Sequence, residues 1–471
     1  MTVMQRDLVI VGAGPAGMAA AVAACREGVD VTLIDENPLA GGQIYRQSPA
    51  VLSSLDPPPD ESAQHGKELV RNLESVKDKI EWLPETNIWG YFPDRKLAVR
   101  SDGGWQMIEA RQIILAPGAY EFAPPFPGWT LPGVMTPGAA QSMVKTMKVL
   151  PGRRALIAGS GPFLLVVARQ LHAAGVEVVA VVETARRREF FSNALGLFAS
   201  PKLLLQGRRY FKQLRKAKIP MFWGHLVTQA VGREGEVEKV TIAPCSGNAR
   251  EKAEIDFQVD TLCVGYGFVP RTELAQMADC AMEYREAIGG WIPQVDESFE
   301  TSVVGLRVVG DGGGVAGAVV AETEGKMAGL AAAHELGGLS HTAYQSQTHA
   351  CAKQIAQMRK FRAALDHIYR LRPAVFDLAK SDTILCRCEE ITRQEIEKGI
   401  QYGGTNISTL KVMTRAGMGP CQGKMCWPSV ARLIASKQSV SVAEVGGVRV
   451  RPPIGCVEMS DLLDTLPLEK S

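Results

Sequence analysis

The chain has 471 residues, of which 46% are hydrophobic and 22% charged, ordinary values for globular proteins. This length predicts two or three domains. The formal net charge of +2 is too small to indicate binding to nucleic acid or to an anionic membrane. No apolar run has the length of a transmembrane segment, and the first residues lead directly into a strand without a signal peptide. We therefore expect a cytoplasmic protein.

The N-terminal stretch DLVIVGAGPAGMAAAVAACREGVDVTLIDEN predicts a strand, a turn, a helix and a second strand. Gly12, Gly14 and Gly17 form a G-x-G-x-x-G pattern at the turn. In this context the first glycine permits the turn, the second lets the backbone approach a pyrophosphate, and the third lets the helix pack on the strand. Asp35 ends the second strand, where a carboxylate can accept hydrogen bonds from ribose hydroxyls, and Glu36 is the neighbouring candidate. The pattern predicts a dinucleotide site.

A second unit of this kind occurs in RRALIAGSGPFLLVVARQLHAAGVEVVAVVET. Gly159 and Gly161 are present, but Leu164 stands at the third glycine position, and Glu183 ends the following strand. The larger side chain should hold the helix further from the sheet. Two interpretations stay open: a second nucleotide site, or a scaffold that has lost its ligand. Since a carboxylate favours a ribose 2′-hydroxyl over a 2′-phosphate, any ligand is expected to be NAD or an adenine nucleotide.

Four further stretches resemble motifs of the two-dinucleotide-binding flavoproteins of the glutathione and thioredoxin reductase type. They are GGQIYR (41–46), IILAPGAYEFAPPFPGW (113–129), TLCVGYGFVP (261–270) and LRVVGDGGGVAGAVVAETEGKMAG (306–329). The resemblance covers residues 5–335 and implies an α/β fold that binds FAD, with Asp311 on the ribityl chain and a helix starting near Val315. The implied FAD-binding residues are Gly12, Gly14, Pro15, Ala16, Gly17, Asp35, Glu36, Gly42, Gln43, Gly118, Gly310, Asp311 and Ala318.

One part of that family's pattern is missing. Its disulfide reductases carry a closely spaced cysteine pair near the flavin, whereas Cys25, Cys245, Cys263 and Cys280 are scattered along the front of this chain. Such cysteines are expected to be small core residues. Thiol–disulfide chemistry is therefore not predicted.

The C-terminal part brings four cysteines together, Cys386 and Cys388 in LCRCEE and Cys421 and Cys426 in MGPCQGKMCW. Four thiolates can complete two tetrahedral irons bridged by two sulfides. Four cysteines can also hold a structural zinc, although zinc usually takes a wider spacing than C-x-C. A third alternative is inert thiols. Without an export signal, ten cysteines indicate reduced thiols or metal ligands instead of disulfides.

The complete pattern CRCEEITRQEIEKGI…KVMTRAGMGPCQGKMCW closely resembles the bacterioferritin-associated-ferredoxin-type [2Fe-2S] domain. This resemblance implies a small helical fold in which the four cysteines hold the cluster. With the flavoprotein part and the tail beginning RPPI, nearly the whole chain resembles the FAD-containing α subunits of hetero-oligomeric amino-acid dehydrogenases. That group includes octopine and nopaline oxidases, D-hydroxyproline and proline dehydrogenases, and the B subunit of hydrogen cyanide synthase.

The resemblance implies oxidation of a C–N bond by a complex. A D-amino-acid-oxidase-like FAD β subunit would take the hydride, this chain would relay electrons, and a small ferredoxin-like [2Fe-2S] γ subunit is a further expected partner. The seven histidines show no catalytic pairing, so no catalytic residue is assigned to this chain. The alternatives are a stand-alone NAD(P)H-dependent iron–sulfur flavoprotein reductase, or a purely structural role in a complex.

The motifs also predict how the chain is divided. We expect an FAD-binding domain in two segments, 1–120 and 261–340, interrupted by an NAD(P)-binding-like domain at 121–260. A helical linker at 341–380 then leads to the [2Fe-2S] domain at 381–440 and a tail at 441–471.

Overall fold

The computed structural model describes residues 3–55, 61–233, 235–245 and 254–459. The N-terminal part forms a mixed sheet in which β3, β2, β1 and β6 are parallel and β5 and β4 continue it antiparallel. Its elements are β1 (Val3–Val11), α1 (Pro15–Arg26), β2 (Val31–Ile34), α2 (Glu61–Glu74), β3 (Ile80–Leu83), β4 (Asn87–Phe92), β5 (Lys96–Ser101), β6 (Gly104–Leu115) and β7 (Ala119–Glu121).

The central strands are buried because helices and loops cover both faces of the sheet. Leu8, Val9 and Ile10 of β1 are fully buried, and every residue of β2 is buried as well. Such continuous apolar runs are typical of parallel strands. Pro15 opens α1, where its fixed φ suits the first helical turn.

The second α/β unit is inserted into the first, as predicted. Strands β11, β10, β9, β15 and β8 form a parallel sheet in that order, and β12, β13 and β14 form an antiparallel sheet. The elements are β8 (Val134–Met135), α3 (Pro137–Ser142), β9 (Arg154–Gly159), α4 (Phe163–Ala173), β10 (Glu177–Glu183), α5 (Arg187–Ser192), α6 (Ala194–Leu197), α7 (Pro201–Lys216), β11 (Met221–Trp223), β12 (His225–Arg233), β13 (Glu236–Pro244), β14 (Ile255–Gln258) and β15 (Thr261–Gly265).

The chain then returns to the first unit, where β16 pairs with β7 and β19 pairs with the end of β6. The returning elements are β16 (Phe268–Pro270), α8 (Glu273–Met277), β17 (Met282–Arg285), β18 (Gly290–Pro293), β19 (Leu306–Val308) and α9 (Ala318–Glu335). The helix expected near Val315 begins three residues later, at Ala318, because Gly317 has a φ of +95° and ends the loop before it.

A single helix, α10 (His341–Ile368), connects the flavoprotein part to the C-terminal unit. Its Ile355, Phe361 and Ile368 are buried in the flavoprotein part. The C-terminal unit has its own core around Leu410, Val430 and Ile434 and is mainly helical, as expected. Its elements are β20 (Ile384–Cys386), β21 (Ile391–Thr392), α11 (Arg393–Gln401), α12 (Ile407–Thr414), α13 (Trp427–Gln438) and α14 (Val442–Val445). None of the helices in the described ranges is long and apolar enough to cross a membrane.

Candidate cofactor cavity and cysteine cluster

The glycines of the first turn are of two kinds: two are needed for the fold, and one leaves space for a ligand. A Cβ on Gly12, which has a φ of +98°, would lie 2.3 Å from the carbonyl oxygen of Ala116. A Cβ on Gly17 would lie 1.7 Å from the carbonyl oxygen of Gly12, so no larger residue lets α1 pack this closely. By contrast, the nearest atom to a Cβ on Gly14 would be the Cα of Gly42, at 3.9 Å. Gly14 therefore leaves open space that the fold itself does not need.

Helices α1 and α9 cross at very short distance through small residues. Hypothetical Cβ atoms on Gly325 and Gly329 would lie 2.0 and 2.3 Å from the carbonyl oxygens of Ala16 and Ala20. Gly310, in the turn before α9, also lies against Ala16. The two glycine-rich turns of the first unit are thereby brought together. Amides at such helix N-termini favour an anionic group such as a pyrophosphate.

A continuous cavity of about 3350 Å³ opens beside these turns. This is several times the roughly 300–1,000 Å³ of an ordinary ligand pocket, and the lining includes both α/β units and the tail at 454–457. Gly17 does not line the cavity but lies behind the turn. All the other residues that the resemblance assigned to FAD line it, namely Gly12, Gly14, Pro15, Ala16, Asp35, Glu36, Gly42, Gln43, Gly118, Gly310, Asp311 and Ala318.

The two acidic residues that follow β2 have different partners. The Asp35 carboxylate accepts hydrogen bonds from the amide of Ala13 at 2.6 Å and from the amide of Asn37 at 2.8 Å. It therefore holds the glycine turn while one side of it borders the cavity. Glu36 instead accepts from the guanidinium of Arg271 at 2.9 Å. Of the two, Asp35 has the placement expected of a ribose acceptor.

Two more acids bind the backbone of the turn before α9, Asp311 from within the turn and Glu324 from the helix itself. Asp311 accepts hydrogen bonds from the amides of Ala316 and Gly317 at 3.1 and 3.3 Å, and removal from solvent raises its pKa. Glu324 accepts from the amide of Gly310 at 2.9 Å, and removal from solvent raises its pKa to about 7. These bonds fix the backbone between β19 and α9. The glycine cradles and the placement of Asp35 and Asp311 on the cavity wall fit a flavin dinucleotide.

In the second unit, the expected nucleotide residues are only partly exposed to the cavity. Gly161 lines it, but Gly159 and Glu183 do not. The Glu183 side chain is 1% exposed and accepts hydrogen bonds from the amides of Gly161 and Ala185 at 3.0 and 2.8 Å. Leu164 is buried in the core of the unit. The carboxylate expected to meet a ribose is thus covered by protein.

The four C-terminal cysteines come together in two cross-pairs, each joining the C-x-C turn to the later loop. The thiol of Cys426 is hydrogen-bonded to Cys386 and lowers the Cys386 pKa to about 6, while Cys388 is in contact with Cys421. Cys386 and Cys426 are buried, whereas Cys388 is exposed. Within the described ranges, no three His, Cys, Asp or Glu side chains surround a single metal position.

Glycines contact these thiols, and two unpartnered donors follow Cys426 closely along the chain. The amide of Gly417 donates to the Cys386 sulfur at 3.4 Å, and a Cβ on Gly419 would lie 2.3 Å from the Cβ of Cys388. Among the described residues, the buried Nε1 of Trp427 and Oγ of Ser429 have no hydrogen-bond partner. Buried donors without protein partners are expected beside an inorganic acceptor. Paired thiols with such surroundings fit a two-iron cluster with bridging sulfides better than one tetrahedral zinc.

The cysteine loop touches the cavity wall through side chains that the sequence motifs did not connect. Lys424, between Cys421 and Cys426, lies over the ring of Tyr120 with its ammonium 5.6 Å from the centroid. Arg271 also lies over this ring, at 5.0 Å. Lys424 donates to the carbonyl of Ile454 at 3.2 Å. The position of Lys424 inside the cysteine motif indicates that it lies near the thiols. The neighbouring residues in the sequence do not indicate a contact with Tyr120.

Two family models match this chain. The model described as pyridine nucleotide-disulphide oxidoreductase matches residues 6–325, and the model described as BFD-like [2Fe-2S] binding domain matches residues 384–436. The first covers the two α/β units and the second covers all four cysteines. These matches indicate FAD in the front part of the chain and a [2Fe-2S] cluster at its C-terminal end.

Curated relatives extend over nearly the whole chain. The A subunit of opine oxidase from Agrobacterium tumefaciens is 34% identical over 97% of this chain and 91% of its own length. The HcnB subunit of hydrogen cyanide synthase from Pseudomonas aeruginosa is 33% identical over 96% of this chain and 97% of its own length. The alpha subunit of sarcosine oxidase from Rhizobium meliloti is 26% identical over 95% of this chain but only 41% of its own length.

Solved structures share the fold. L-proline dehydrogenase from P. horikoshii superposes with a TM-score of 0.69 and 20% identity, covering 98% of this chain and 80% of that one. Thioredoxin reductase from T. acidophilum gives a TM-score of 0.51 and 20% identity over 70% of this chain and 98% of its own. The difference in coverage reflects the linker and the C-terminal unit, which lie beyond the part that resembles thioredoxin reductase.

Proposed function

We infer that this chain, which belongs to the pyridine nucleotide-disulphide oxidoreductase family, is the flavin and iron–sulfur subunit of a multi-subunit dehydrogenase that acts on C–N bonds. The observation that carries this inference is the contact between the cysteine loop and the wall of the cofactor cavity through Lys424 and Tyr120. It brings two cofactor modules, encoded at opposite ends of the chain, against each other. The similarity over nearly full length to HcnB and to the A subunit of opine oxidase supports the same function.

The cofactors supply the chemistry, since FAD accepts two electrons and can release them singly while a [2Fe-2S] cluster carries one. The residues of this chain bind and position. Gly14, the start of α1 and the start of α9 would hold the pyrophosphate, and Asp35 and Asp311 would hold ribose and ribityl hydroxyls. Cys386, Cys388, Cys421 and Cys426 would hold the irons.

The substrate class and the partners form the finer part of the proposal. We propose an amino or imino acid substrate of the D-hydroxyproline, proline or opine type. The hydride would be taken by an FAD β subunit like D-amino-acid oxidase, and a small ferredoxin-like [2Fe-2S] protein would be a further partner. The names of the relatives, opine oxidase and hydrogen cyanide synthase, support a complex that oxidises amino compounds. A cytoplasmic location, testable by cell fractionation, belongs to the same proposal.

The division of the chain is also proposed. The FAD domain would comprise 1–120 and 261–340, the inserted domain 121–260, the linker 341–380, the cluster domain 381–440 and the tail 441–471. The pairing of β7 with β16 supports crossings between the units near residues 120 and 267, where the two connecting segments lie side by side. The second crossing falls after residue 261 because β15 (Thr261–Gly265) still pairs with β8 and β9 in the sheet of the inserted unit.

Co-purification tests the function. The tagged chain should bring down the products of neighbouring genes, and the complex should reduce a dye with one of D-hydroxyproline, proline or an opine. The isolated chain should have little activity with any of them. An isolated chain that oxidises an amino acid as fast as the complex would contradict the relay role.

A further inference from the structure

We propose that residues 369–372, which follow α10, occupy the adenosine end of the second α/β unit, so that no nicotinamide nucleotide can deliver electrons there. This inference rests on the proposed function, in which a partner subunit donates the electrons. It deepens that function because it excludes a nicotinamide nucleotide as the electron donor. The family description names a pyridine nucleotide, but the residues of this chain have closed the position where its adenosine would bind.

The first support is a direct contact on the second glycine turn. Ser160, between Gly159 and Gly161, donates a hydrogen bond from its hydroxyl to the carbonyl oxygen of Tyr369 at 3.1 Å. The Tyr369 ring packs edge-on against Phe190, with 5.9 Å between the ring centroids. The end of the linker therefore lies across the turn, from the end of β9 to α5.

Two ion pairs fasten the segment in this position. Arg370 pairs with the Glu189 carboxylate at 3.0 Å, and Arg372 pairs with the other oxygen of the same carboxylate. Glu189 is buried, and although burial opposes ionisation, the hydrogen bond from Arg372 keeps its pKa below the usual value. A buried carboxylate that loses both cations would be left uncompensated, which disfavours release of the segment.

The first α/β unit provides an internal comparison. Asp35 and Glu183 stand at equivalent places, at the carboxyl end of the second strand of each unit, and each accepts a hydrogen bond from an amide of its glycine turn. Asp35 lines the cavity, whereas Glu183 does not. Tyr369 lies close enough to Glu183 that, after burial, the Glu183 charge contributes to raising the pKa of the tyrosine hydroxyl. An adenosine ribose could reach Glu183 only by displacing this segment.

The segment closes only the ribose side of the second nucleotide site. Gly161 and Leu164 still line the cavity, and a Cβ on Gly161 would meet no atom within 4 Å. The phosphate side of the turn is open, but the ribose side is closed. A dinucleotide held only by its phosphates lacks the anchoring that aligns a nicotinamide for hydride transfer.

Titration of the flavin-loaded chain with NADH, NADPH and AMP tests the proposal without any substitution. Calorimetry with millimolar nucleotide should show no saturable binding, and NADH should leave the flavin absorbance unchanged under anaerobic conditions. Hydrogen exchange at residues 159–165 and 366–372 should also be unchanged by nucleotide. Saturable binding that Glu183→Gln abolishes, or faster exchange at 366–372 on adding nucleotide, would overturn the proposal.

Variants test whether residues 369–372 cover the second glycine turn. Tyr369→Ala combined with Ser160→Ala should speed exchange at residues 159–165 while leaving the flavin content unchanged. Tyr402→Ala, at an exposed tyrosine on the C-terminal unit, is the matched control and should leave exchange at the turn unchanged. Equal exchange at 159–165 in all three proteins would contradict the proposed cover. Failure of the amino-acid substrate to bleach the flavin in the complex would instead refute the proposed function, and the nucleotide titration would still stand.

Discussion

The ammonium of Lys424 lies over the ring of Tyr120, 5.6 Å from its centroid, and so joins the cysteine loop to the cavity wall. Tyr120 belongs to β7, where the chain leaves the first unit, and Arg271 lies over the same ring at 5.0 Å. Such cation–π contacts contribute about 0.5–2 kcal/mol each, depending on desolvation. The contact therefore contributes to holding the loop between Cys421 and Cys426 against the cavity wall.

Removing this contact should slow electron transfer between the two cofactors more than it changes their binding. Tyr120→Leu removes the ring, and we expect it to lower the rate of cluster reduction several-fold with normal iron and flavin contents. Tyr120→Phe keeps the ring and should retain most of the rate. Anaerobic stopped-flow absorbance follows both the reduction of the flavin and the reduction of the cluster. Equal rates in the Leu and Phe variants would show that the ring does not position the loop.

Two glycines of the first turn should respond differently to substitution. Gly14→Val should fold, because the backbone there is ordinary and the nearest atom to its Cβ is 3.9 Å away, but the side chain should block the pyrophosphate. Gly17→Val should fail to fold, because its Cβ would lie 1.7 Å from a carbonyl oxygen. Circular dichroism and bound-flavin absorbance separate the two outcomes. A Gly14→Val protein that retains full flavin would refute the assigned pyrophosphate position.

Replacing one cluster ligand should remove the cluster and spare the flavin. In Cys421→Ser, the hydroxyl is a poorer iron ligand than a thiolate, so iron and labile sulfide should fall well below the roughly two of each expected per chain. The C-terminal unit should also become less stable, since metal binding contributes to the folding of small domains. Cys245→Ser, at a half-buried cysteine of the inserted unit that lies outside the set and outside the cavity wall, is the control. Zinc in the wild-type protein, or a complete cluster in Cys421→Ser, would contradict the assignment.

Glu324 predicts a pH dependence of stability. Its pKa is raised from 4.5 to about 7 by removal from solvent, so the unfolded chain ionises before the folded one as pH rises. This group therefore costs nothing below pH 4.5 and progressively more up to pH 7, about 3 kcal/mol at most. Glu324→Gln should gain stability relative to wild type as pH increases from about 5 to about 8, measured by urea unfolding. A difference that is constant over this range would show that the pKa is not raised.

Local patterns in the sequence are sufficient to predict the strands, turns and helices that would hold the cofactors. The strand, turn and helix around Gly12 and a second unit of this kind around Gly159 follow from apolar runs and glycine spacing, and the structure has both. The sequence predicts the start of α9 three residues too early, because the positive φ of Gly317 is a property of the folded loop. Local signals of this kind locate turns more reliably than they locate helix ends.

Contacts between distant segments were not predictable in the same way. The bond from Ser160 to Tyr369 joins residues 209 positions apart, and Lys424 meets a tyrosine in a strand that lies near residue 120. Glycine spacing and an acidic residue therefore predict a second α/β unit and leave open whether it binds a nucleotide, because nothing in that stretch indicates that residues 369–372 lie near Glu183. The packing of one unit on another determines such closures, and a motif read alone carries no information about that packing.

The most direct test follows electrons through the assembled complex. Under anaerobic conditions, the amino-acid substrate is mixed with complexes that contain wild-type chain or Cys421→Ser, and flavin bleaching, the reduced-cluster EPR signal and reduction of an added one-electron acceptor are measured. We predict that flavin bleaches in both complexes, whereas the cluster signal and acceptor reduction occur only with the wild-type chain. Acceptor reduction at an unchanged rate without the cluster would contradict the central claim that this chain relays electrons between the two cofactors.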